Sequence, residues 1–212
     1  MLTTSAPTAA QHKSSANRAS GSIEGELLVN EIKSTQLFDA LPPPATRPRS
    51  WLVLIGLLLL CYAVAAIGAF STASSIHTWY ATLTKPAFNP PNWIFAPVWT
   101  ALYTLMAVAA WLVWRSPADP YSATYSATSS ARNDALAAFY VQLTLNFLWT
   151  PIFFRYHHLL VAAIVILLLW LAIAVTIALF WRVRPSAGAL LLPYIAWVSL
   201  ATALNLAILR LN

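Results

Sequence analysis

The chain has 212 residues, of which 59% are hydrophobic and only 8% are charged, and its formal net charge is +6. A soluble domain has about 25% charged residues, so this composition excludes a globular protein solvated by water and indicates that lipid surrounds most of the chain. The basic residues lie in loops and in the first fifty residues rather than in a patch interleaved with aromatic residues, so we expect no nucleic-acid partner.

Residues 1–50 differ in composition from the remainder of the chain. They are rich in Ser, Thr, Ala and Pro, have few large apolar residues and contain a proline-rich linker at 43–48. Because such a segment buries too little apolar surface to fold, we predict a disordered polar N-terminal arm. The arm resembles an organelle transit peptide faintly, and a plain disordered extension is the favoured interpretation.

Five long charge-free intervals predict five membrane-spanning helices, near 51–71, 93–114, 135–154, 159–181 and 187–209. A helix needs about 20 apolar residues to cross the hydrocarbon core, whereas a barrel strand needs only about ten alternating ones. The predicted fold class is therefore an all-α integral membrane protein, a multi-pass bundle of five transmembrane helices over residues 51–212.

The basic residues near the predicted span ends indicate an orientation. Six lie on the side that holds the N terminus and three on the other side. This bias favours a cytoplasmic N terminus in a bacterial-type cell membrane, and the rule weakens in a mitochondrial outer membrane. We expect one of these two membranes.

The segment from Lys85 to Trp99 contains four prolines and two tryptophans in fifteen residues. Proline lacks a backbone N–H and fixes its own φ, so we expect ordinary helix only after Pro97. The composition predicts a stiff, aromatic loop at the mouth of the bundle, where a flat apolar ligand could be held.

Polar residues within the predicted spans are amides and hydroxyls, and none of the spans contains Asp, Glu, Lys, Arg or His. This absence argues against a proton-coupled pump. Residues that share a helical face are Trp99 with Tyr103 in the second span, Gln142 with Asn146 and Trp149 in the third, and Trp197 with Ala201 and Asn205 in the fifth. Such faces either hold helices together through buried amides or form an aromatic ligand pocket.

No catalytic or metal-binding constellation stands out. The sequence has no acid–base pair, activated nucleophile or cluster of metal ligands, so we expect neither a conventional enzyme nor a metal site. His77, His157 and His158 fall in loops on one predicted side of the membrane. They could bind haem or a metal there, and solvated loop histidines are the favoured interpretation.

Four blocks of residues occur in a distinctive order: WY at 79–80 with LTKP at 83–86, NPPNWIFAPVWTALY at 89–103, QLTLNFLWTPIFF at 142–154, and LPYIAW at 192–197 with LN at 204–205. Together they resemble the tryptophan-rich sensory protein and translocator protein family, also called the peripheral-type benzodiazepine receptor family. The resemblance covers about residues 51–212.

The resemblance implies a five-helix bundle, commonly a homodimer, in which the loop after the first span covers a pocket. It implies binding of porphyrins, haem or related tetrapyrroles, of sterols in some members, and of isoquinoline or benzodiazepine drugs, with no obligatory cofactor. On matching positions the ligand-binding residues would be Tyr80, Trp93, Trp99, Gln142, Asn146, Trp149, Phe153, Trp197, Ala201 and Leu204. The expected function is membrane-embedded binding or sensing of such ligands, with their regulation or transport.

Two rival functions stay open. In some family members the residues matching Trp99 and Trp197 support light- and oxygen-dependent porphyrin breakdown, so a porphyrin-degrading photo-oxidase is one alternative. A facilitative transporter of sterols or small apolar molecules is the other. The sequence departs from the family at Phe88, where tryptophan is frequent, and at Leu206, where the sterol-associated signature has tyrosine. The second departure weakens the expectation of cholesterol binding.

Overall fold

The computed structural model describes residues 50–116 and 125–212. Apart from Ser50, the predicted arm lies outside the described residues, and the domain boundary at its end stays a prediction. The described helices are α1 (Ser50–Ala73), α2 (Trp79–Thr82), a 3-10 turn (Asn92–Ile94), α3 (Phe95–Trp114), α4 (Tyr125–Phe154), α5 (Leu159–Val183), α6 (Pro185–Leu190) and α7 (Leu192–Leu211).

Five helical segments are long and apolar enough to cross a membrane: Ser50–Ala73, Asn92–Trp114, Ser129–Phe154, Leu159–Val183 and Pro185–Leu211. The predicted all-α class and the multi-pass membrane location are therefore confirmed. The largest difference in bounds is at α4, which begins at Tyr125 rather than near 135. Its first turns are polar, and a pattern based on apolar residues does not detect helix that extends beyond the hydrocarbon core.

Helix α3 begins at Phe95, so the expectation that ordinary helix starts only after Pro97 is wrong by two residues. The first four N–H groups of a helix have no intrahelical acceptor, so a proline in the first turn removes no hydrogen bond. Helix α7 likewise has Pro193 in its first turn.

The helices pack around a core in which α3 and α7 bury their inward faces. Helix α1 packs on α3 and α4, α5 packs on α4, α6 and α7, and α3 packs on α6. Met106, Phe139, Ile173 and Tyr194 are fully buried between them. Large apolar side chains are exposed on the outer faces of α1 and α5, which is the arrangement expected of surfaces solvated by hydrocarbon.

The connection from α5 to α6 requires a close approach of backbone and ring. A Cβ at Gly188 would lie 2.7 Å from Cε3 of Trp181, a distance that a side chain cannot occupy. Glycine at this position lets α6 fold back against the end of α5, and this turn sets the starting point of α7.

Small residues on α5 could form a contact surface for the predicted homodimer. Ala162 and Ala163 are buried within the chain itself, so they pack intramolecularly. The homodimer stays a prediction.

Candidate ligand-binding cavity

A cavity of about 470 Å³ lies between α1, α3, α4 and α7, next to α2 and the 3-10 turn. Pockets for small molecules commonly have volumes of about 300–1,000 Å³. The cavity involves the C-terminal half of α1, the N-terminal half of α3 and the end of α4, so it lies toward the membrane side on which α2 is found. Its lining contains no charged residue.

One wall of the cavity is a face of small residues on α1. Ala65, Gly68, Ala69, Thr72 and Ala73 follow the spacing i, i+3, i+4, i+7 and i+8, which places them on the same side of a helix. Their short side chains leave the space that larger residues would fill.

The facing walls carry three indole rings from three different helices. Trp99 comes from α3, Trp149 from α4 and Trp197 from α7, and all three line the cavity. The ring of Phe95, which also lines the cavity, meets that of Trp197 edge-on with centroids 5.7 Å apart. These rings offer flat, polarisable apolar surfaces of the kind that pack against another planar molecule.

The indole N–H groups of two of these tryptophans differ in their hydrogen bonding. Trp149 Nε1 donates to Asn205 Oδ1 at 3.2 Å, with the amide orientation assigned from its hydrogen-bond partners. Trp197 Nε1 is buried and has no hydrogen-bond partner among the described residues. A buried donor without an acceptor is unfavourable.

Beneath the cavity lies a chain of hydrogen bonds, which we call the polar floor: Tyr103, Asn146, Tyr194 and Gln142. Tyr103 Oη donates to Asn146 Oδ1 at 2.6 Å, and Asn146 Nδ2 donates to Tyr194 Oη at 2.9 Å. Tyr194 Oη in turn donates to Gln142 Oε1 at 3.0 Å.

The polar floor joins α3, α4 and α7. Gln142 and Asn146 are 1% and 2% exposed, and neither lines the cavity, whereas Tyr103 does. The two amides thus use their hydrogen-bonding groups on neighbouring side chains. Their geometry matches the interpretation of buried amides that hold membrane helices together.

Helix α2 contributes Tyr80 to the cavity lining, and the loop that follows α2 contacts this tyrosine. Tyr80 lines the cavity, and its Oη donates to Asn89 Oδ1 at 3.0 Å. Burial raises the pKa of Tyr80 above its ordinary value. The ammonium of Lys85 lies 4.8 Å from the centroid of the Tyr80 ring.

Asn212 ties the same loop to the end of α7. Thr84 N donates to Asn212 Oδ1 at 3.0 Å, and Asn212 Nδ2 donates to Thr84 O at 3.1 Å. The same amide nitrogen donates to Ile208 O at 2.9 Å. The loop is therefore held both at Thr84 and at Asn89.

The loop histidines do not assemble a metal site. His157 stacks on Trp79 with ring centroids 4.0 Å apart, and its φ of 59° lies in the left-handed region. Within residues 50–116 and 125–212 there is no group of three His, Cys, Asp or Glu residues that could hold a metal ion.

The structure brings five of the ten predicted ligand-binding residues together around the cavity. These five are Tyr80, Trp99, Trp149, Trp197 and Ala201.

The other five predicted residues lie elsewhere. Gln142 and Asn146 belong to the polar floor, and Leu204 is buried outside the lining. Phe153 is buried next to Trp149, with ring centroids 5.6 Å apart. Trp93 lies on the 3-10 turn with 73% of its surface exposed, and it does not line the cavity.

The sequence-based prediction included no residue of the α1 wall and only one of the lining residues on α3. The additional lining residues are Ala65, Ala66, Gly68, Ala69, Thr72, Ala73, Ile76, Asn92, Phe95, Ala96, Thr100, Tyr103, Thr150 and Phe154. Two signals in the sequence point to them: the small residues of α1 repeat at helical spacing, and Phe95, Trp99 and Tyr103 are four residues apart.

The fold and the cavity define a class of protein: a multi-span α-helical membrane protein with an aromatic-walled cavity between its helices. Residues 57–211 match the TspO/MBR family, and the chain belongs to this family.

Curated relatives from three organisms match most of the chain. The chain is 38% identical to the Tryptophan-rich protein TspO of Archaeoglobus fulgidus over 163 residues, which are 76% of this chain and 97% of the relative. It is 36% identical to the Tryptophan-rich sensory protein of Cereibacter sphaeroides over 162 residues, 76% of this chain and 92% of the relative. It is 34% identical to the human Translocator protein over 151 residues, 69% of this chain and 85% of the relative.

Proposed function

We propose that this protein binds porphyrins, haem or related planar tetrapyrroles in the cavity and thereby senses their level, regulates it or moves them across the bilayer. The observation that carries this proposal is the convergence of Trp99, Trp149 and Trp197, from three helices, on one cavity of about 470 Å³.

Three properties of the site support a planar apolar ligand. The indole walls present flat surfaces, the α1 wall leaves room opposite them, and the lining has no charge that would favour a polar occupant. Sensing and translocation are functions named for the relatives, and both require a reversible binding step of this kind.

The proposal is tested by titrating protoporphyrin IX into the protein in lipid nanodiscs and measuring the quenching of tryptophan fluorescence. We expect saturable quenching in the wild type and binding weakened by about tenfold in a Trp99→Ala, Trp197→Ala double variant, since stacked aromatic contacts each contribute about 0.5–1.5 kcal/mol. Equal titrations of the two proteins would refute the assignment of the cavity.

Two further variants distinguish a loss of the binding site from a loss of folded protein. Trp51→Ala removes an indole that is 56% exposed and lies outside the cavity, so its affinity should equal that of the wild type. The Trp99→Phe, Trp197→Phe double variant keeps aromatic bulk and should bind with intermediate affinity.

Photo-oxidative breakdown of the bound porphyrin is a second candidate function. Both tryptophans that would support it, Trp99 and Trp197, line the same cavity. The test is illumination of the protein with protoporphyrin IX in air, followed by chromatography. A new product that is absent with the double phenylalanine variant would support an enzymatic role, and a product profile equal to that of protein-free discs would exclude it.

Transport of porphyrins, sterols or other small apolar molecules is separated from sensing by a flux measurement. Protein in sealed vesicles should accelerate entry of protoporphyrin IX into the lumen if it transports this ligand, and should give saturable binding without flux if it only senses it.

A further inference from the structure

Among the described residues, three basic side chains and no acidic one lie on the membrane side that carries α2. Lys85 lies in the loop after α2, Arg155 directly follows α4, and Arg210 lies in the last turn of α7. The only acidic residue among the described ones is Asp134. It precedes Arg155 by 21 positions along α4, which corresponds to about 30 Å at 1.5 Å per residue, so it does not neutralise these cations.

Lys85 is a cation in contact with a residue of the cavity wall. Its ammonium lies 4.8 Å from the ring centroid of Tyr80, and Tyr80 lines the cavity. The Nζ donates to Ala81 O at 3.3 Å and to Leu83 O at 3.2 Å. An ammonium has three N–H groups, so these two bonds leave one donor for a further acceptor.

The position of Lys85 is fixed by the loop that carries it. The neighbouring Thr84 is bound through both its N and its O to the side chain of Asn212, and Asn89 on the other side of Lys85 accepts from Tyr80 Oη. A charge held in place before a ligand arrives binds an anion without the entropic cost of ordering a flexible chain.

The cavity interior could not accept an anionic group on its own. No lining residue is charged, and a carboxylate moved into such surroundings without a partner would lose a large solvation energy. A ligand with an apolar body and a carboxylate would therefore bind with its body between the indoles and its carboxylate toward Tyr80 and Lys85.

We propose that Lys85 is a specificity-determining residue that binds the anionic group of the cavity ligand, so that the site prefers planar apolar carboxylates over their neutral analogues. This inference rests on the proposed function, because it assumes a planar occupant of the cavity. An anionic lipid headgroup presents similar oxygen atoms to Lys85, and the experiment below separates the two sources.

The test compares protoporphyrin IX with its dimethyl ester, which has the same ring and no carboxylate, in nanodiscs of neutral phosphatidylcholine. Binding is followed by tryptophan fluorescence quenching, with protein-free discs to correct for partition into lipid. In the wild type we expect the diacid to bind about tenfold more tightly than the diester, the scale of a hydrogen bond to a charged group.

Two variants at Lys85 and one control locate the effect. Lys85→Gln should lose the preference for the diacid while its affinity for the diester stays that of the wild type, and Lys85→Arg should keep the preference. Arg115→Gln is the matched control, because Arg115 also lies over an aromatic ring, that of Trp111 at 4.5 Å, but at the opposite end of α3. It should behave as the wild type.

The outcomes separate this inference from the function on which it rests. If neither porphyrin binds the wild type, the proposed function fails and the inference fails with it. If both bind and the ratio of their affinities is the same in wild type and Lys85→Gln, only the inference is overturned. If Lys85 serves a lipid headgroup instead, the wild type shows no preference in neutral discs, and Lys85→Gln lowers the phosphatidylglycerol retained by the purified protein.

Discussion

The polar floor and the cavity above it share α3, α4 and α7, but only the cavity has a wall from α1. In the floor, Tyr103, Asn146 and Tyr194 pair with one another and leave no space. In the cavity, about 470 Å³ is open, and the side chains of Trp99, Trp149 and Trp197 line it. Asn146 and Gln142 thus use their amides on tyrosine hydroxyls, whereas the cavity next to them is open and lined mainly by apolar and aromatic side chains.

The size of the α1 side chains differs between the cavity and the packed part of the bundle. Next to the cavity, α1 presents alanine, glycine and threonine, whose side chains leave room. Nearer its N-terminal end, Leu57 and Cys61 are buried and complete the packed core. The width of the site is thus set by the helix that contributes no aromatic residue to it.

A larger side chain on α1 that fills the cavity should have the largest effect on ligand binding. If it had no effect, the cavity would not be the binding site. A Cβ at Gly68 would lie 3.6 Å from Thr150, an ordinary contact, so Gly68→Ala should bind ligand almost as the wild type does. Gly68→Leu should weaken protoporphyrin binding by on the order of 30-fold, because overpacking costs about 1–3 kcal/mol. Nanodisc titration measures both.

Gly56→Leu supplies the control for this experiment. It is the same substitution on the same helix, and nothing lies within 4 Å of the Cβ it would add. Equal loss of binding in Gly56→Leu and Gly68→Leu would show that the change acts on α1 in general and not on the cavity.

Cutting the polar floor should affect stability more than binding. Asn146→Leu removes the acceptor of Tyr103 and the donor to Tyr194, so we expect a loss of about 2 kcal/mol in the free energy of unfolding. Unfolding in mixed micelles measures it. Thr144→Val, on an exposed face of the same helix, should change stability little, and an equal loss in both variants would contradict the proposed role of the floor.

Releasing the loop should have a smaller and local effect. In Asn212→Ala the amide of Thr84 loses its acceptor, so we expect its hydrogen exchange to accelerate by about fivefold. Asn212→Asp keeps an acceptor oxygen and should retain most of the protection. Unchanged exchange in Asn212→Ala would mean that this bond does not hold the loop in solution.

The smallest expected effect is the pH dependence contributed by Tyr80. Because burial raises the pKa of Tyr80 in the folded state, the folded protein keeps the phenolic proton at a pH where the unfolded chain loses it. Its contribution to stability is therefore complete below pH about 10 and declines as the pH rises above that value.

Tyr80→Phe isolates this contribution. At pH 8 the variant should be less stable by about 0.5–1 kcal/mol, since it lacks the hydrogen bond to Asn89. As the pH rises from 9 to 11, the difference between the two unfolding midpoints should narrow. A difference that stays constant over this range would contradict the assignment.

Much of the fold followed from the sequence because the relevant signal is local. Each span needs a length of apolar residues that can be counted along the chain, and five such stretches are present. The expectation that proline excludes helix was wrong at Pro97. Proline disrupts the interior of a helix, but Pro97 lies in the first turn of α3, where it is tolerated.

The candidate site was only partly predictable. Helical spacing places Gln142, Asn146 and Trp149 on one face, but it does not say how deep each lies. In the structure Trp149 reaches the cavity while the two amides lie in the floor. Trp93 belongs to the same sequence block as Trp99, yet the 3-10 turn leaves its side chain exposed.

The sequence alone was enough to predict a helical bundle in a membrane. The length of each apolar stretch and the scarcity of charge can be read along the chain, without knowing which residues contact each other. Only the tertiary structure decided which indoles meet around a cavity and which polar groups satisfy each other. Those outcomes depend on the rotation and depth of helices that are distant in sequence, so no single stretch of the chain contains them.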